Sequence, residues 1–233
     1  IRDFCLSRGL GAVYKRQVEF NGELRPEQNK ALKELTKHDN GILHAATAFG
    51  KTVVSSAIIA QKKINTLIIL ESSALIEQWK EALEKFLNID EELPSYKTKT
   101  GRVRKRKSLI GTLQGAHDSM TGIIDIAMAG SLCKKGEYHK LLKEYGLVLV
   151  DECHHSASET IANVLKEVKA KYVYGVTATP KRGDGLEKIN YMLIGSIRYS
   201  YTAKEKAKEQ GIQHLVYPRF LSLIHISEPT RQA

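Results

Sequence analysis

Cysteine is scarce in this chain of 233 residues, which has only Cys5, Cys133 and Cys153. Three thiols at such wide spacing cannot build a disulfide framework, so we expect a reducing, cytoplasmic compartment. No apolar run approaches the roughly 18 to 20 residues that span a bilayer, and no N-terminal stretch has the apolar segment of a secretion signal. These absences exclude a small disulfide scaffold and argue against a membrane partner.

Basic residues are in excess in this chain. Lysine and arginine outnumber aspartate and glutamate by 36 to 26, which gives a formal net charge of +10. An excess of this size indicates a polyanionic partner such as a nucleic acid. The length allows one large domain with a sizeable core.

The two ends of the chain differ from its middle. Residues 221–233 lack continuous periodicity and resemble a peptide that arises when sequencing-adapter DNA is translated, and Gly9–Gln17 resembles another such peptide. We therefore expect a non-native leader at 1–17, one folded lobe at 18–200, a linker at 201–220 and a non-native tail at 221–233.

Strand and helix patterns alternate through the middle of the chain. This alternation predicts an α/β fold with a parallel sheet that is flanked by helices on both faces. Strands are expected at 41–44, 66–70, 123–127, 146–150 and 171–177, and helices from 25 onward and at 53–61, 74–87, 131–145 and 158–169. Residues 88–121 are expected to be rich in loops, and 196–219 to form a last strand–helix–strand passage.

A phosphate-binding loop is predicted between the first of these strands and the helix that follows. Its residues are Ala45, Ala46, Thr47, Ala48, Phe49, Gly50, Lys51 and Thr52. Backbone N–H groups at the start of a helix can wrap a phosphate, Lys51 can reach the β- and γ-phosphates, and the Thr52 hydroxyl can ligate Mg²⁺. Ala45 stands where the usual pattern has its first glycine, and Phe49 replaces a residue that is often small.

Two adjacent carboxylates, Asp151 and Glu152, end the apolar strand 146–150. They indicate a metal ligand and a base that orients water, although an acidic strand end in solvent would look the same. A zinc site at Cys153, His154 and His155 is not favoured, because the other cysteines lack ligand-pair spacing. We expect the two histidines to couple the nucleotide site to neighbouring segments.

The stretch 97–107 is strongly basic. Its candidate nucleic-acid contacts are Arg102, Arg104, Lys105, Arg106 and Lys107. They predict either contact with a phosphate backbone or an ordinary solvated loop, and the sequence leaves both open.

Four segments in order resemble superfamily 2 helicases of the DEAD/DEAH type. Gln28 in Arg-Pro-Glu-Gln resembles the Q-motif element, and the loop 45–52, the run 151–154 and the run 177–180 resemble motifs I, II and III. The residues after motif III resemble the XPB-like and restriction-subunit-like branch. The resemblance covers about residues 20–219 and implies a P-loop NTPase with a RecA-like first lobe.

The resemblance also implies roles for single residues. Gln28 would recognise adenine, Lys51 and Thr52 would hold phosphate and Mg²⁺, Asp151 would bind Mg²⁺ and Glu152 would be the catalytic base. Thr177 and Thr179, with His154, would couple hydrolysis to the grip on nucleic acid. The implied cofactors are ATP and Mg²⁺, and the implied partners are a second RecA-like lobe and a nucleic acid. DNA is favoured over RNA, and the sequence leaves both open.

We therefore expect the ATP-binding lobe of an ATP-dependent helicase or translocase. The alternative is an ATP-gated clamp that binds nucleic acid without productive unwinding. A small-molecule kinase is a further alternative, but Thr177-Ala-Thr-Pro180 has no role in a kinase.

Overall fold

A computed structural model describes residues 15–98, 101–134, 136–156, 158–179, 187–202 and 205. The chain divides after Thr202, and every element below lies before that division. The strands are β1 Val18–Phe20, β2 Asn40–Ala45, β3 Thr66–Leu70, β4 Leu87–Ile89, β5 Ser95–Lys97, β6 Val103–Lys105, β7 Ile110–Gln114, β8 His117–Asp118, β9 Ile124–Met128, β10 Cys133–Lys134, β11 Glu137–Tyr138, β12 Leu147–Asp151, β13 Tyr172–Thr177 and β14 Ile197–Tyr201. The helices are α1 Pro26–Thr36, α2 Lys51–Lys62, α3 Leu75–Phe86, α4 Ala129–Leu132, α5 Glu159–Glu167 and α6 Glu187–Leu193, with 3₁₀ turns at Lys140–Lys143 and Cys153–His155.

Eight strands form the central sheet in the order β14-β2-β13-β12-β3-β9-β7-β8. All neighbouring pairs are parallel except β7 with β8. The parallel strands therefore present their carboxyl ends at one edge of the sheet, which is where α/β proteins of this kind bind ligands.

Strand β12 explains why both faces of the sheet are covered. Leu147 and Leu149 belong to one buried core and Val148 and Val150 to the other, because successive side chains of a strand point to opposite faces. The first core also takes in residues of α1, α2 and α3, and the second takes in residues of α4, α5 and α6. The predicted parallel sheet with helices on both faces is confirmed.

The prediction for residues 88–121 was wrong in one respect, because β7 joins the central sheet beside β9. Its sequence, Ile-Gly-Thr-Leu-Gln, has no strict alternation of apolar and polar residues. Gly111 is needed there because a Cβ atom at this position would lie 2.1 Å from Oδ1 of the buried Asp125. The strand was missed because tertiary packing, and not local pattern, specifies it.

The helix predicted at 131–145 was also wrong. Helix α4 ends at Leu132, and the chain then forms the short β10–β11 ladder and the 3₁₀ turn Lys140–Lys143. Gly136 between the two strands has φ +81°, a left-handed conformation that interrupts a helix.

The ends of the chain lie mostly outside the described residues. This holds for residues 1–14, for 203–233 except Glu205, and so for most of the linker, the tail and the last helix expected within 196–219. Lys15 bridges to Ile64, and the Arg16 N–H donates to the Lys63 carbonyl oxygen at 2.7 Å, so these two residues do contact the domain. In the described part of the chain, no helix is long and apolar enough to cross a bilayer.

Candidate functional site

Three neighbouring strands bring the predicted motifs to one place. Strand β13 lies between β2 and β12, with Thr177 opposite His44 and Val176 opposite Asp151. The phosphate loop follows β2, the carboxylate pair ends β12, and Thr177 ends β13. The topology therefore puts motif III between motifs I and II.

The predicted phosphate loop has the backbone of an anion-binding turn. Ala48 and Gly50 are left-handed, with φ values of 66° and 85°, and Gly50 is the N-cap of α2. Left-handed residues in such a turn can gather successive N–H groups into a concavity, and the start of α2 adds the positive end of a helix dipole. The loop is thus suited to a phosphate despite alanine at position 45.

Gly50 is required for a second reason. A Cβ atom at this position would lie 2.5 Å from Nε2 of Gln28. The buried Gln28 amide donates to the Phe49 carbonyl oxygen at 2.7 Å and accepts from the Arg25 N–H at 2.9 Å. The Arg25 guanidinium donates to the same Phe49 oxygen. Gln28 therefore braces the loop from α1, and its contact with adenine stays a prediction.

Packing explains the unusual phenylalanine in the loop. Phe49 is buried, and its ring centroid lies 5.0 Å from that of Tyr201 and 6.5 Å from that of Tyr199, both on β14. The Ala46 N–H also donates to the Tyr201 carbonyl oxygen at 3.0 Å. The aromatic side chain fixes the loop against the edge strand, where a small residue would leave a gap.

Lys51 and Glu152 meet across the end of β13. The Lys51 Nζ atom lies 3.0 Å from Glu152 Oε1, and the two side chains are 16% and 35% exposed. Partial burial alone would raise the pKa of Glu152, but the hydrogen bond and charge of Lys51 outweigh it and lower that pKa. The predicted phosphate-binding lysine and the predicted base are therefore in direct contact.

Asp151 is held at both of its carboxylate oxygens. Oδ1 accepts the Glu152 N–H at 2.9 Å, and Oδ2 accepts the indole N–H of Trp79 on α3 at 2.8 Å. Burial raises the pKa of Asp151, and the two hydrogen bonds lower it without cancelling that effect. Trp79 lies in the helix expected at 74–87, and a lone tryptophan in a helix gives no signal of this contact.

The hydroxyl of Thr177 connects the carboxylate pair to motif III. Its Oγ1 lies 2.9 Å from His154 Nδ1 and 3.4 Å from Glu152 Oε2, and it accepts the Thr179 N–H at 3.1 Å. The His154 ring lies 3.9 Å from that of His155, centroid to centroid. All three predicted coupling residues therefore lie within one hydrogen-bonded group.

His155 extends this group to the next strand. Its Nε2 lies 3.5 Å from Glu71 Oε2, in the segment that follows β3. The histidines were expected to couple the nucleotide site to neighbouring segments, and these contacts are consistent with that role, which stays a prediction.

Cys153 is buried and packs against Gly175 of β13. Burial raises the pKa of its thiol, and its Sγ lies 2.7 Å from where a Cβ at Gly175 would stand. Gly175 on β13 is therefore the residue that admits a cysteine at this position of motif II. A protonated, buried thiol is a poor metal ligand.

The candidate metal ligands fit Mg²⁺ better than they fit a metal ion that is held by protein side chains alone. Among the described residues, no group of three or more His, Cys, Asp or Glu side chains is placed to hold a metal ion. Mg²⁺ is commonly bound through one or two carboxylates together with substrate phosphates and water. The carboxylate of Asp151 and the hydroxyl of Thr52 in the phosphate loop are consistent with this mode of Mg²⁺ binding.

The basic stretch forms an exposed hairpin. Strands β5 and β6 pair antiparallel, with Tyr96 opposite Arg104, and all six of their residues are exposed. The Arg106 guanidinium stacks on the Tyr96 ring at 4.5 Å, and its Nη1 donates to the Asp118 carbonyl oxygen at 3.3 Å. Arg106 is thus held by contacts within the domain. The other predicted nucleic-acid contacts are exposed to solvent: Arg102, Arg104, Lys105 and Lys107.

A cleft of about 600 Å³ lies at the base of this hairpin. Its lining includes Lys80 of α3 and Arg104–Lys107, against the two acidic residues Glu77 and Asp118. The excess of cations makes this cleft attractive to an anion. It is separate from the residues of the phosphate loop.

Comparisons with known proteins agree with this geometry. A family model described as "Type III restriction enzyme, res subunit" matches residues 21–182. The DNA 3'-5' translocase XPB2 of Sulfurisphaera tokodaii is 30% identical over 201 residues, which are 86% of this chain and 41% of that protein. The putative helicase 109L of Invertebrate iridescent virus 3 is 35% identical over 180 residues, which are 76% of this chain and 51% of that protein. The chain thus spans about half the length of these relatives or less.

The fold comparison points the same way. The Sulfolobus solfataricus SWI2/SNF2 ATPase core in complex with dsDNA aligns with a TM-score of 0.57 and 19% identity, covering 84% of this chain and 42% of that one. This likeness confirms the predicted RecA-like fold. The predicted resemblance to the XPB-like and restriction-subunit-like branch of superfamily 2 is confirmed as well. The chain belongs to the family of the type III restriction enzyme res subunit.

Proposed function

We propose that this chain is the ATP-binding lobe of an ATP-dependent DNA translocase or helicase. The observation that carries the proposal is the 3.0 Å contact between Lys51 and Glu152, which joins a helix-capping phosphate loop to a strand-end carboxylate pair. The names of the relatives, a DNA translocase and a putative helicase, support a motor. They do not favour the alternative of a clamp without turnover.

Each residue has a role in this proposal. Backbone N–H groups at the end of the loop and at the start of α2 bind the phosphates, and Lys51 leaves Glu152 to neutralise their charge. Glu152, which Lys51 has released, then accepts a proton from the attacking water. Thr52 and Asp151 would hold Mg²⁺, which, when bound, neutralises charge that develops on the phosphates.

The coupling residues carry the signal from the site to the nucleic acid. Because Thr177 lies within 3.4 Å of the Glu152 carboxylate, a change in how that carboxylate is held moves the partners of the Thr177 hydroxyl. Those partners are the Thr179 N–H and His154. We assign the coupling role to this group and the completion of the site to a second RecA-like lobe.

Nucleotide binding and turnover test the proposal together. The chain is expected to bind a fluorescent ATP analogue saturably in the presence of Mg²⁺, with displacement by unlabelled ATP. Hydrolysis by this lobe alone should stay near background, since a second lobe supplies arginines that contribute about 10³- to 10⁵-fold. Duplex DNA should stimulate hydrolysis in the two-lobed protein. A two-lobed protein that binds DNA in response to ATP but never turns over would favour the clamp, and absence of nucleotide binding would overturn the proposal.

We also propose that the β5–β6 hairpin contacts a DNA backbone. Changing Arg104, Lys105 and Lys107 to serine should weaken DNA binding and reduce the dependence of log affinity on log salt by up to about 3 units, at about 0.9 per lost phosphate contact. Arg106 is left in place because its stacking on Tyr96 supports the hairpin. The measurement is a titration of duplex DNA at several salt concentrations.

The matched control for this experiment removes the same charge elsewhere. Lys30, Lys33 and Lys169 are exposed and lie on or beside α1 and α5. Their change to serine should lower the salt dependence much less than the hairpin variant does. If both triple variants have equal slopes, the hairpin is an ordinary solvated surface.

A further inference from the structure

The only tryptophan of the chain bonds to a predicted metal ligand. Trp79 is 2% exposed within the first core, beside Ile76 and Leu83 of the same helix. Its indole N–H donates to Asp151 Oδ2 at 2.8 Å. Another large apolar side chain could fill the same space in the core. The property that only tryptophan adds at this position is the indole N–H donor.

The Asp151 carboxylate also accepts a second hydrogen bond, from the backbone of Glu152. Oδ1 accepts the Glu152 N–H at 2.9 Å, so each carboxylate oxygen accepts one hydrogen bond from the described part of the chain. A carboxylate has about four acceptor positions, two on each oxygen. One position on each oxygen is therefore left for a metal ion or its water, and the plane of the carboxylate is fixed by the two donors.

We infer that Trp79 is a positioning residue that orients Asp151 for Mg²⁺. The inference rests on the proposed function, in which Asp151 is the Mg²⁺ ligand. Outer partners of this kind fix the direction of a ligand, and their loss usually weakens metal affinity about 10- to 100-fold. Trp79 does not touch the metal in this scheme, and its whole effect passes through Asp151.

The inference also gives α3 a part in the site. Helix α3 begins at Leu75, directly after the segment that follows β3, and Trp79 lies one turn into it. The orientation of Asp151 is therefore fixed by α3 as well as by β12. A displacement of this helix would reach the metal ligand through one hydrogen bond.

The first test is the variant Trp79→Phe, which keeps an aromatic ring and removes the N–H donor. The concentration of Mg²⁺ that half-maximally tightens binding of a fluorescent ATP analogue should rise at least about tenfold. Binding of the analogue in EDTA should stay unchanged, because the phosphate loop is intact. Ile76→Val is the matched control, since it alters the same helix and core without touching Asp151, and its Mg²⁺ requirement should equal that of the wild type.

The second test is made on the wild-type chain, so it does not depend on whether Trp79→Phe folds. With a saturating, unlabelled, non-hydrolysable ATP analogue, addition of Mg²⁺ should change the emission of Trp79, and EDTA should reverse the change. Asp151→Asn should remove the response.

The outcomes separate the two ideas. An unchanged Mg²⁺ requirement in Trp79→Phe, or wild-type emission that ignores Mg²⁺ while analogue binding still depends on it, overturns the role of Trp79 alone. Wild-type binding that Mg²⁺ does not tighten overturns the proposed function and this inference together.

Discussion

Replacement of Lys51 with alanine is expected to abolish measurable ATP binding while the fold is retained. The change removes the cation that would contact two phosphates, and two charge-assisted hydrogen bonds contribute about 3 to 6 kcal/mol. The expected loss of affinity is therefore on the order of 10²- to 10⁴-fold. A direct titration with a fluorescent ATP analogue measures it.

The control for this variant is Lys62→Ala. Lys62 lies at the other end of α2, and its Nζ sits 4.0 Å from the centre of the Tyr172 ring. Its removal takes the same charge from the same helix and should leave nucleotide affinity unchanged. Equal affinity in wild type and Lys51→Ala would refute the assignment of the phosphate loop.

Glu152→Gln is expected to separate binding from hydrolysis. Glutamine keeps the size of the side chain and an oxygen that can accept from Lys51, but it cannot take a proton from water. In the two-lobed protein, Mg²⁺-dependent ATP binding should persist, and turnover should fall by about 10²- to 10⁴-fold, the usual contribution of a general base. Single-turnover hydrolysis with duplex DNA measures the step itself.

Glu71→Gln serves as the comparison for the base. Glu71 follows the neighbouring strand β3 and its carboxylate contacts His155 at 3.5 Å, so it is an acidic strand end without a link to Lys51. In the absence of DNA, its variant should hydrolyse ATP at a rate near that of the wild type because, among the described residues, Glu71 contacts the site only through His155. Wild-type turnover by Glu152→Gln would show that another group activates the water.

Much of this site could be predicted from the sequence because its parts are local. The phosphate loop and the carboxylate pair are short runs, each placed directly after an apolar strand, and parallel strands end at a common edge. The positions of Lys51, Asp151, Glu152 and Thr177 follow from that rule. Their mutual contacts are a consequence of the strand order.

The remaining features depend on contacts that local patterns do not encode. Trp79 and Asp151 are 72 residues apart, and nothing in an amphipathic helix indicates which buried side chain uses its polar atom. Gly175 is explained by the side chain of Cys153, in the turn after β12, which leaves no room for a Cβ atom at that position. Strand β7 was missed for a similar reason. Gly111 is required because Asp125 on the neighbouring strand leaves no room for a Cβ atom, and the pattern of β7 itself does not show this.

The ion pair between Lys51 and Glu152 has a consequence for timing. A molecule in which the pair is closed cannot offer Lys51 to a phosphate, so the apparent dissociation constant is the intrinsic one divided by the open fraction. A pair closed in about nine molecules of ten would weaken apparent affinity about tenfold. The same closure keeps Glu152 occupied until a phosphate has drawn the lysine away. In the proposed mechanism, capture of the nucleotide would therefore come first and would release the base.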